Sequence, residues 1–188
     1  MADETDDSTS PADGEYRSGF VTFVGRPNVG KSSIVNAICG RKISIVSDKP
    51  QTTRHRIMGI LTLPDSQIVF VDTPGLHKPV TALGERVNAT ALGSVTDVDV
   101  TALVLDATKP FGKGDRWVAS QIDMASSIVV VNKIDRASPQ QVLAMLTAAS
   151  ELGAQEYFPV SALTKDGIDG LVAHLTAGLP VGPQFFPD

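Results

Sequence analysis

A short apolar run at residues 20–24 opens directly into Gly25, Arg26, Pro27, Asn28, Val29, Gly30, Lys31 and Ser32, and the stretch that follows suits a helix over Lys31–Cys39. Few folds accommodate this. Two glycines five positions apart let the backbone wrap tightly enough for consecutive N–H groups to face one anion, and a helix starting there adds the positive end of its dipole. The lysine and hydroxyl after the second glycine meet the other needs of a polyphosphate: Lys31 to reach the β and γ oxygens, Ser32 to ligate magnesium. Gly25, Asn28, Val29, Gly30, Lys31, Ser32 and Ser33 are thus the expected phosphate-binding residues. Taken alone, the loop serves ATP and GTP equally well.

From Gly19 onward the chain alternates apolar runs of strand length with loops and helix-compatible segments, as a mainly parallel sheet requires. Strands are expected at 20–24, 57–63, 67–71, 100–105, 128–131 and 157–160. Only Pro64, Asp65 and Ser66 separate the second from the third, too short a link for a parallel crossover, so this pair forms an antiparallel hairpin. Helices fit at 31–39, 83–96, 113–124, 139–152 and 168–175, with Ser138 as an N-cap before Pro139 and Gly153 as a stop. The expectation is an α/β domain: a six-stranded, mostly parallel sheet with one antiparallel strand and helices on both faces.

A chain of 188 residues with 42% hydrophobic content fills one core. Its net charge of -5 comes from the N-terminus, where Asp3, Glu4, Asp6, Asp7, Asp13 and Glu15 crowd together; beyond them acidic and basic residues nearly cancel. Segment 1–17 therefore reads as a disordered leader, 18–178 as the folded domain, and 179–188, with three prolines, as a linker or tail. The single cysteine, Cys39, has no partner for a disulfide and reads as a small buried apolar residue. With no apolar run of about 18–20 residues and no signal-peptide pattern, a cytoplasmic protein without stable membrane insertion is expected.

Three further motifs follow at the ends of later strands. Asp72, Thr73, Pro74 and Gly75 place a carboxylate for magnesium and a backbone N–H for a γ-phosphate after the third strand. Asn132, Lys133, Ile134 and Asp135 follow the fifth, and these decide the base. A carboxylate at Asp135 accepts from N1 and N2 of guanine, whereas adenine offers no donor at either place; sites of this kind reject the analogue by roughly 10⁴–10⁵. Lys133 is expected along the base, and Asn132 to tether neighbouring loops or to meet guanine itself. After the sixth strand come Ser161, Ala162 and Leu163, with the Ala162 N–H aimed at guanine O6.

On these motifs the chain resembles the Era-like family of bacterial P-loop GTPases, which are Ras-like in fold. The phosphate loop is shared with the wider group, whereas residues 49–56 and Asp72, Thr73, Pro74, Gly75, Leu76 and His77 resemble this family in particular. The resemblance implies GTP and GDP as ligands with Mg²⁺, and Thr53 as the switch threonine that senses magnesium and γ-phosphate, Thr52 being the fallback. It makes Lys31, Thr53, Gly75 and Asn28 the catalytic set and Ser32, Thr53 and Asp72 the metal ligands. Leu76 stands where Ras-type GTPases carry a water-positioning glutamine, so catalysis needs another device; Asn28 resembles the asparagine that holds K⁺ near the phosphates in related enzymes. A monomer is expected, and the resemblance further implies peripheral membrane association in the family. Its partners would be small-subunit ribosomal RNA and the 30S subunit, engaged chiefly through a KH domain to which 182–188 resembles the lead-in. Two rivals remain: a tandem-domain ribosome GTPase or tRNA-modifying GTPase, disfavoured by residues 51–56, and a nucleotide-dependent binding module with negligible hydrolysis.

Overall fold

A computed structural model describes residues 15–40, 56–72 and 98–187 of the chain. The expected helix at 83–96, Thr52, Thr53 and residues 73–77 lie outside the described residues. Within them, β1 (Arg17–Val24), β2 (Arg56–Leu63), β3 (Ser66–Asp72), β4 (Val100–Asp106), β5 (Ile128–Asn132) and β6 (Tyr157–Pro159) form one sheet, ordered β2-β3-β1-β4-β5-β6. Only β2 and β3 run antiparallel, joined by a turn at Pro64 and Asp65; every other neighbouring pair is parallel. Helices α1 (Lys31–Cys39), α2 (Lys113–Ala119), α3 (Pro139–Ser150) and α4 (Ile168–Ala177) supply the crossovers seen here.

Alternation along the strands distributes these helices over two faces. Phe23, Phe70, Val104 and Val130 join Ile34 and Val35 of α1 and Leu171 and Leu175 of α4 in one cluster. Val24, Leu103, Leu105 and Val131 join Val118 of α2 and Met145 and Ala149 of α3 in the other. A sheet covered on both sides explains why β5 is buried at every position and reads as a continuous apolar run. At about 1.5–3 kcal/mol for each large apolar side chain buried, a one-residue slip in register would be prohibitive. Strand order reverses at β1, which lies between β3 and β4; open α/β sheets place their ligands at the carboxyl edge of that switch point. No described helix is long and apolar enough to cross a membrane.

Local chemistry explains where elements start and stop. Ser138 caps α3 in a capping box: its Oγ accepts from Gln141 N at 3.2 Å, and Gln141 Oε1 accepts from Ser138 N at 2.8 Å. That helix ends at Ser150, and Gly153 takes a φ of 70° just beyond it. The expected helix at 113–124 closes at Ala119 instead. Ser120 Oγ donates back to Trp117 O at 2.7 Å, and Asp123 accepts from Ala125 N at 3.1 Å to start a separate 3-10 turn, Met124–Ser126. Gly59 admits α1 to β2, since a Cβ there would stand 3.0 Å from both Cys39 Sγ and Val35 Cγ1. Burial in that contact pushes the Cys39 thiol up to about 11, which makes it a packing residue and not a nucleophile.

β1 begins at Arg17, earlier than its apolar run suggests, because its parallel ladder with β3 starts there, Arg17 opposite Ser66, and residues 179–187 return to it as well. Arg17 Nη1 donates to Leu179 O at 2.7 Å, Ser18 Oγ donates to Pro183 O at 2.6 Å, and Arg17 and Val181 form an antiparallel bridge. The amide of Gln67, with 0% exposure, reads the tail backbone: Nε2 donates to Phe186 O at 2.9 Å, and Oε1 accepts from Phe185 N and Phe186 N at 3.0 Å each. Phe185 stacks on Phe20 with ring centroids 5.1 Å apart. A buried amide is tolerated because every bond it loses to water is replaced. Replacing Gln67 by Leu should cost about 1–3 kcal/mol by urea denaturation and speed proteolytic cleavage beyond residue 178.

Candidate functional site

The loop after β1 owes its path to two glycines and one asparagine in left-handed or related backbone. Gly25 has φ 154°, and a Cβ there would lie 2.6 Å from Val104 O; at Gly30, φ 100°, a Cβ would run into Asn132 Nδ2. Asn28 adopts φ 64°, a region that asparagine tolerates better than most residues. Gly30 also starts α1 without any side-chain cap, which leaves the N–H groups of the first turn facing the loop's concavity. Lys31 Nζ meanwhile donates to Gly25 O at 2.9 Å and Arg26 O at 3.1 Å. Burial lowers its pKa below the ordinary lysine value, partly offset by the negative charge of Asp72 at the end of β3. An anion in the loop would relieve that burial penalty on the ammonium. Ser32 and Ser33 are exposed at the head of α1.

The next carboxyl ends supply the other half of the site. Asn132, 1% exposed, donates from Nδ2 to Val29 O at 3.0 Å and accepts from Ala162 N at 3.1 Å, so one side chain joins the phosphate loop to the loop after β6. The Ala162 N–H, expected to meet guanine O6, is thus engaged with Asn132 here. Asp135 Oδ1 accepts from Ser161 Oγ at 2.6 Å, while Ser161 Oγ accepts from Thr164 N at 3.0 Å, which fixes the carboxylate's orientation. Lys133, at φ 68°, crosses back to the phosphate loop and donates to Asn28 O at 2.6 Å.

Between these loops lies a cavity of about 240 Å³ lined by Gly30, Ser33, Asn132, Lys133, Asp135, Arg136, Ala162 and Leu163. Leu163 stands at its rim, 79% exposed. Its lining combines apolar surface with a few convergent polar groups, as small-ligand sites do. Thr53 and Gly75 lie outside the described residues. Among those residues, no three His, Cys, Asp or Glu converge to cage a metal. A hydroxyl at Ser32 and one carboxylate at Asp72 suit magnesium, an ion that keeps several waters and takes phosphate oxygens.

Three residues enter the site that its motifs do not mark. Arg26 and Asp115 pair at 3.2 Å, and Asp115 also accepts from Gly112 N at 2.9 Å, so the outer side of the phosphate loop is pinned to the start of α2. Asp106, at the end of β4 and opposite Asn132 in register, pairs with Lys133 at 2.7 Å. A signal for Asp106 exists in the sequence, since an acid directly follows an apolar strand at the same sheet edge as Asp72. Nothing local marks Asp115, whose partner lies 89 positions away.

A glycine-cradled anion site on β1, a carboxylate ending β3, and the Asn-Lys-x-Asp and Ser-Ala-Leu turns after β5 and β6 together define a P-loop GTPase domain. The sequence profile of the 50S ribosome-binding GTPase family matches residues 20–133, and the chain belongs to that family. Among named relatives it is similar to GTPase Era of Mycobacterium tuberculosis, with 47% identity over 93% of this chain and 60% of the relative. Era of Mycobacterium sp. strain KMS matches to the same extent. Era solved in complex with MgGDPNP and part of 16S ribosomal RNA superposes with a TM-score of 0.76 at 35% identity, covering 92% of this chain and 60% of that one. A point variant of Aquifex aeolicus Era bound to GDP·AlF4⁻ gives 0.75 at 35% identity, covering 91% and 60%. The present chain thus spans about 60% of the length of these relatives. The G domain of the T. maritima FeoB transporter, at 23% identity and a TM-score of 0.63 over 86% of this chain and 98% of that one, shares the fold.

Because Asn132 satisfies one carbonyl and one N–H on two separate loops, Asn132→Ala should leave both unpaired. GDP affinity should fall about 10- to 100-fold by fluorescent-nucleotide titration, with a loss of about 1–3 kcal/mol in unfolding free energy.

Proposed function

We propose that the chain binds GTP and hydrolyses it to GDP and phosphate with Mg²⁺, as the nucleotide-dependent switch of a protein that acts in small ribosomal subunit assembly. The observation that carries this reading is the Asp135 carboxylate, oriented by Ser161 at the mouth of a cavity whose other wall is the phosphate loop. That carboxylate recognises the N1 and N2 donors of guanine. Leu163 and the Lys133 stem flank the base, and the N–H groups from Gly25 to Ser33 cradle the phosphates. Lys31 turns from its carbonyl partners to the β and γ oxygens, and Gly75 contributes a backbone N–H at the γ-phosphate. Magnesium, when bound, neutralises charge between those oxygens; Ser32, Asp72 and Thr53 are its proposed ligands, Thr53 only while the γ-phosphate is present.

The similarity to an Era that was solved with 16S ribosomal RNA supports the same class of partner for the whole protein.

Asp135→Asn should lower affinity for GTP and GDP and favour xanthine nucleotides, because the amide donates to the C2 carbonyl of xanthine. Competition of GDP, XDP and ADP against a fluorescent guanine nucleotide measures this; equal affinity of the unaltered protein for ADP and GDP would remove the guanine assignment.

With Leu76 in place of a glutamine, we further propose that K⁺ near Asn28 offsets charge as the β–γ bond breaks. Basal turnover should then be slow, about 10⁻⁴ to 10⁻² per second, and higher in KCl than in NaCl of equal concentration. Asn28→Gly suits the φ of 64° and leaves the backbone carbonyl for Lys133, so it should abolish the K⁺ response while GDP affinity stays nearly constant. Equal single-turnover rates in the two salts would eliminate the cation.

A further inference from the structure

Asp106 ends β4 at the carboxyl edge of the sheet, and the nucleotide motifs leave its carboxylate without a task. Its side chain is 7% exposed and fully engaged: Oδ1 accepts from Thr108 N at 3.0 Å and Thr108 Oγ1 at 2.6 Å, and Oδ2 accepts from Lys133 Nζ at 2.7 Å. The same ammonium donates to Asn28 O at 2.6 Å. Lys133 is thus held from two sides, by a strand end and by the apex of the phosphate loop. Both loop residues in this bridge, Asn28 and Lys133, sit at positive φ, 64° and 68°, which costs energy unless surrounding bonds hold them there.

Burial alone would raise the Asp106 pKa, yet the bonds from Lys133 and Thr108 and the lysine charge outweigh it and bring the pKa below the usual aspartate value. The group is therefore charged at neutral pH. A buried carboxylate of this kind orients an ammonium far more tightly than solvent does, because a wrong position leaves the charge without a partner.

We propose that Asp106 is a positioning residue for nucleotide recognition: by fixing the Lys133 ammonium against Asn28 O, it sets the spacing between the phosphate loop and the guanine motif before nucleotide arrives. The inference rests on the GTP-binding function proposed above. Asp106 touches neither base nor phosphate in this scheme and acts through Lys133 alone. Without its carboxylate, the Lys133 side chain loses one of two anchors, and the Asn28 carbonyl loses a donor held in place. Part of the binding energy of each nucleotide would then go into ordering the two loops.

The test is a double-mutant cycle of Asp106→Asn and Lys133→Met in the whole chain, with mant-GDP affinity as the readout and melting temperature without nucleotide beside it. Asp106→Asn is expected to weaken GDP about 10- to 100-fold in the unaltered background and less than about 2-fold in the Lys133→Met background. A general structural role would instead give equal factors in both backgrounds, and that result, or unchanged affinity in the single variant, overturns the proposal. If Asp106→Asn does not fold, Thr108→Val takes its place in the same cycle. Loss of one bond to Oδ1 should weaken GDP by about 3-fold, again only when Lys133 is present, and no change would overturn the proposal equally. ADP titrated against the unaltered protein separates the two levels of inference. Binding of ADP as tight as GDP removes the guanine assignment itself, whereas guanine selectivity with an unaffected Asp106→Asn variant removes only the role of Asp106.

Discussion

The side-chain amide of Asn132 donates to the phosphate loop at Val29 O and accepts from Ala162 N, so three segments far apart in sequence are held by one planar group. Its geometry is possible only because β5 ends where β1 and β6 end. Parallel neighbours in a doubly covered sheet deliver their loops to one edge, and the apolar faces on either side forbid the slips that would move a loop by one residue. Around that amide the other contacts arrange themselves. Lys133 reaches Asn28 O, Ser161 holds Asp135, and Gly30 lacks a side chain where Asn132 Nδ2 must pass.

Two ends of the sheet carry different kinds of order. At the carboxyl edge, polar groups face one another across a cavity and leave space for a ligand. At the opposite end, Gln67 and Ser18 spend their polar groups on the backbone of the returning tail, and Phe20 stacks on Phe185. β3 runs from one to the other, with Gln67 near its start and Asp72 at its end. The same strand thus presents a magnesium-compatible carboxylate at one edge and a contact with the returning tail at the other.

Fold class, hairpin and strand order along the chain were legible because each rests on local information. The span of apolar runs, the length of the link at Pro64 and Asp65, and the Ser138 capping box are read within a few residues. Boundaries were legible only where a cap or a glycine marks them. The helix expected to reach residue 124 ends at Ala119, because Ser120 and Asp123 offer the backbone competing partners that periodicity does not register. The start of β1 was missed for a different reason: Arg17 and Ser18 are polar, and they join the strand through their pairing with β3 and through side-chain bonds to a tail more than 160 positions away.

By itself the sequence determined the kind of chemistry. A glycine-cradled lysine and serine can hold a polyphosphate, and an aspartate after Asn-Lys can select guanine, because those abilities belong to the functional groups and their short-range spacing. Tertiary structure decided which groups act together. It put Asp106 under Lys133, Ser161 under Asp135 and Asp115 against Arg26, pairings separated by 27, 26 and 89 positions that no local pattern contains. It also assigned the Ala162 N–H to Asn132. Such choices depend on distances of 2.6–3.2 Å between groups brought together only when the whole sheet has closed, since a hydrogen bond exists at that range and not at twice it.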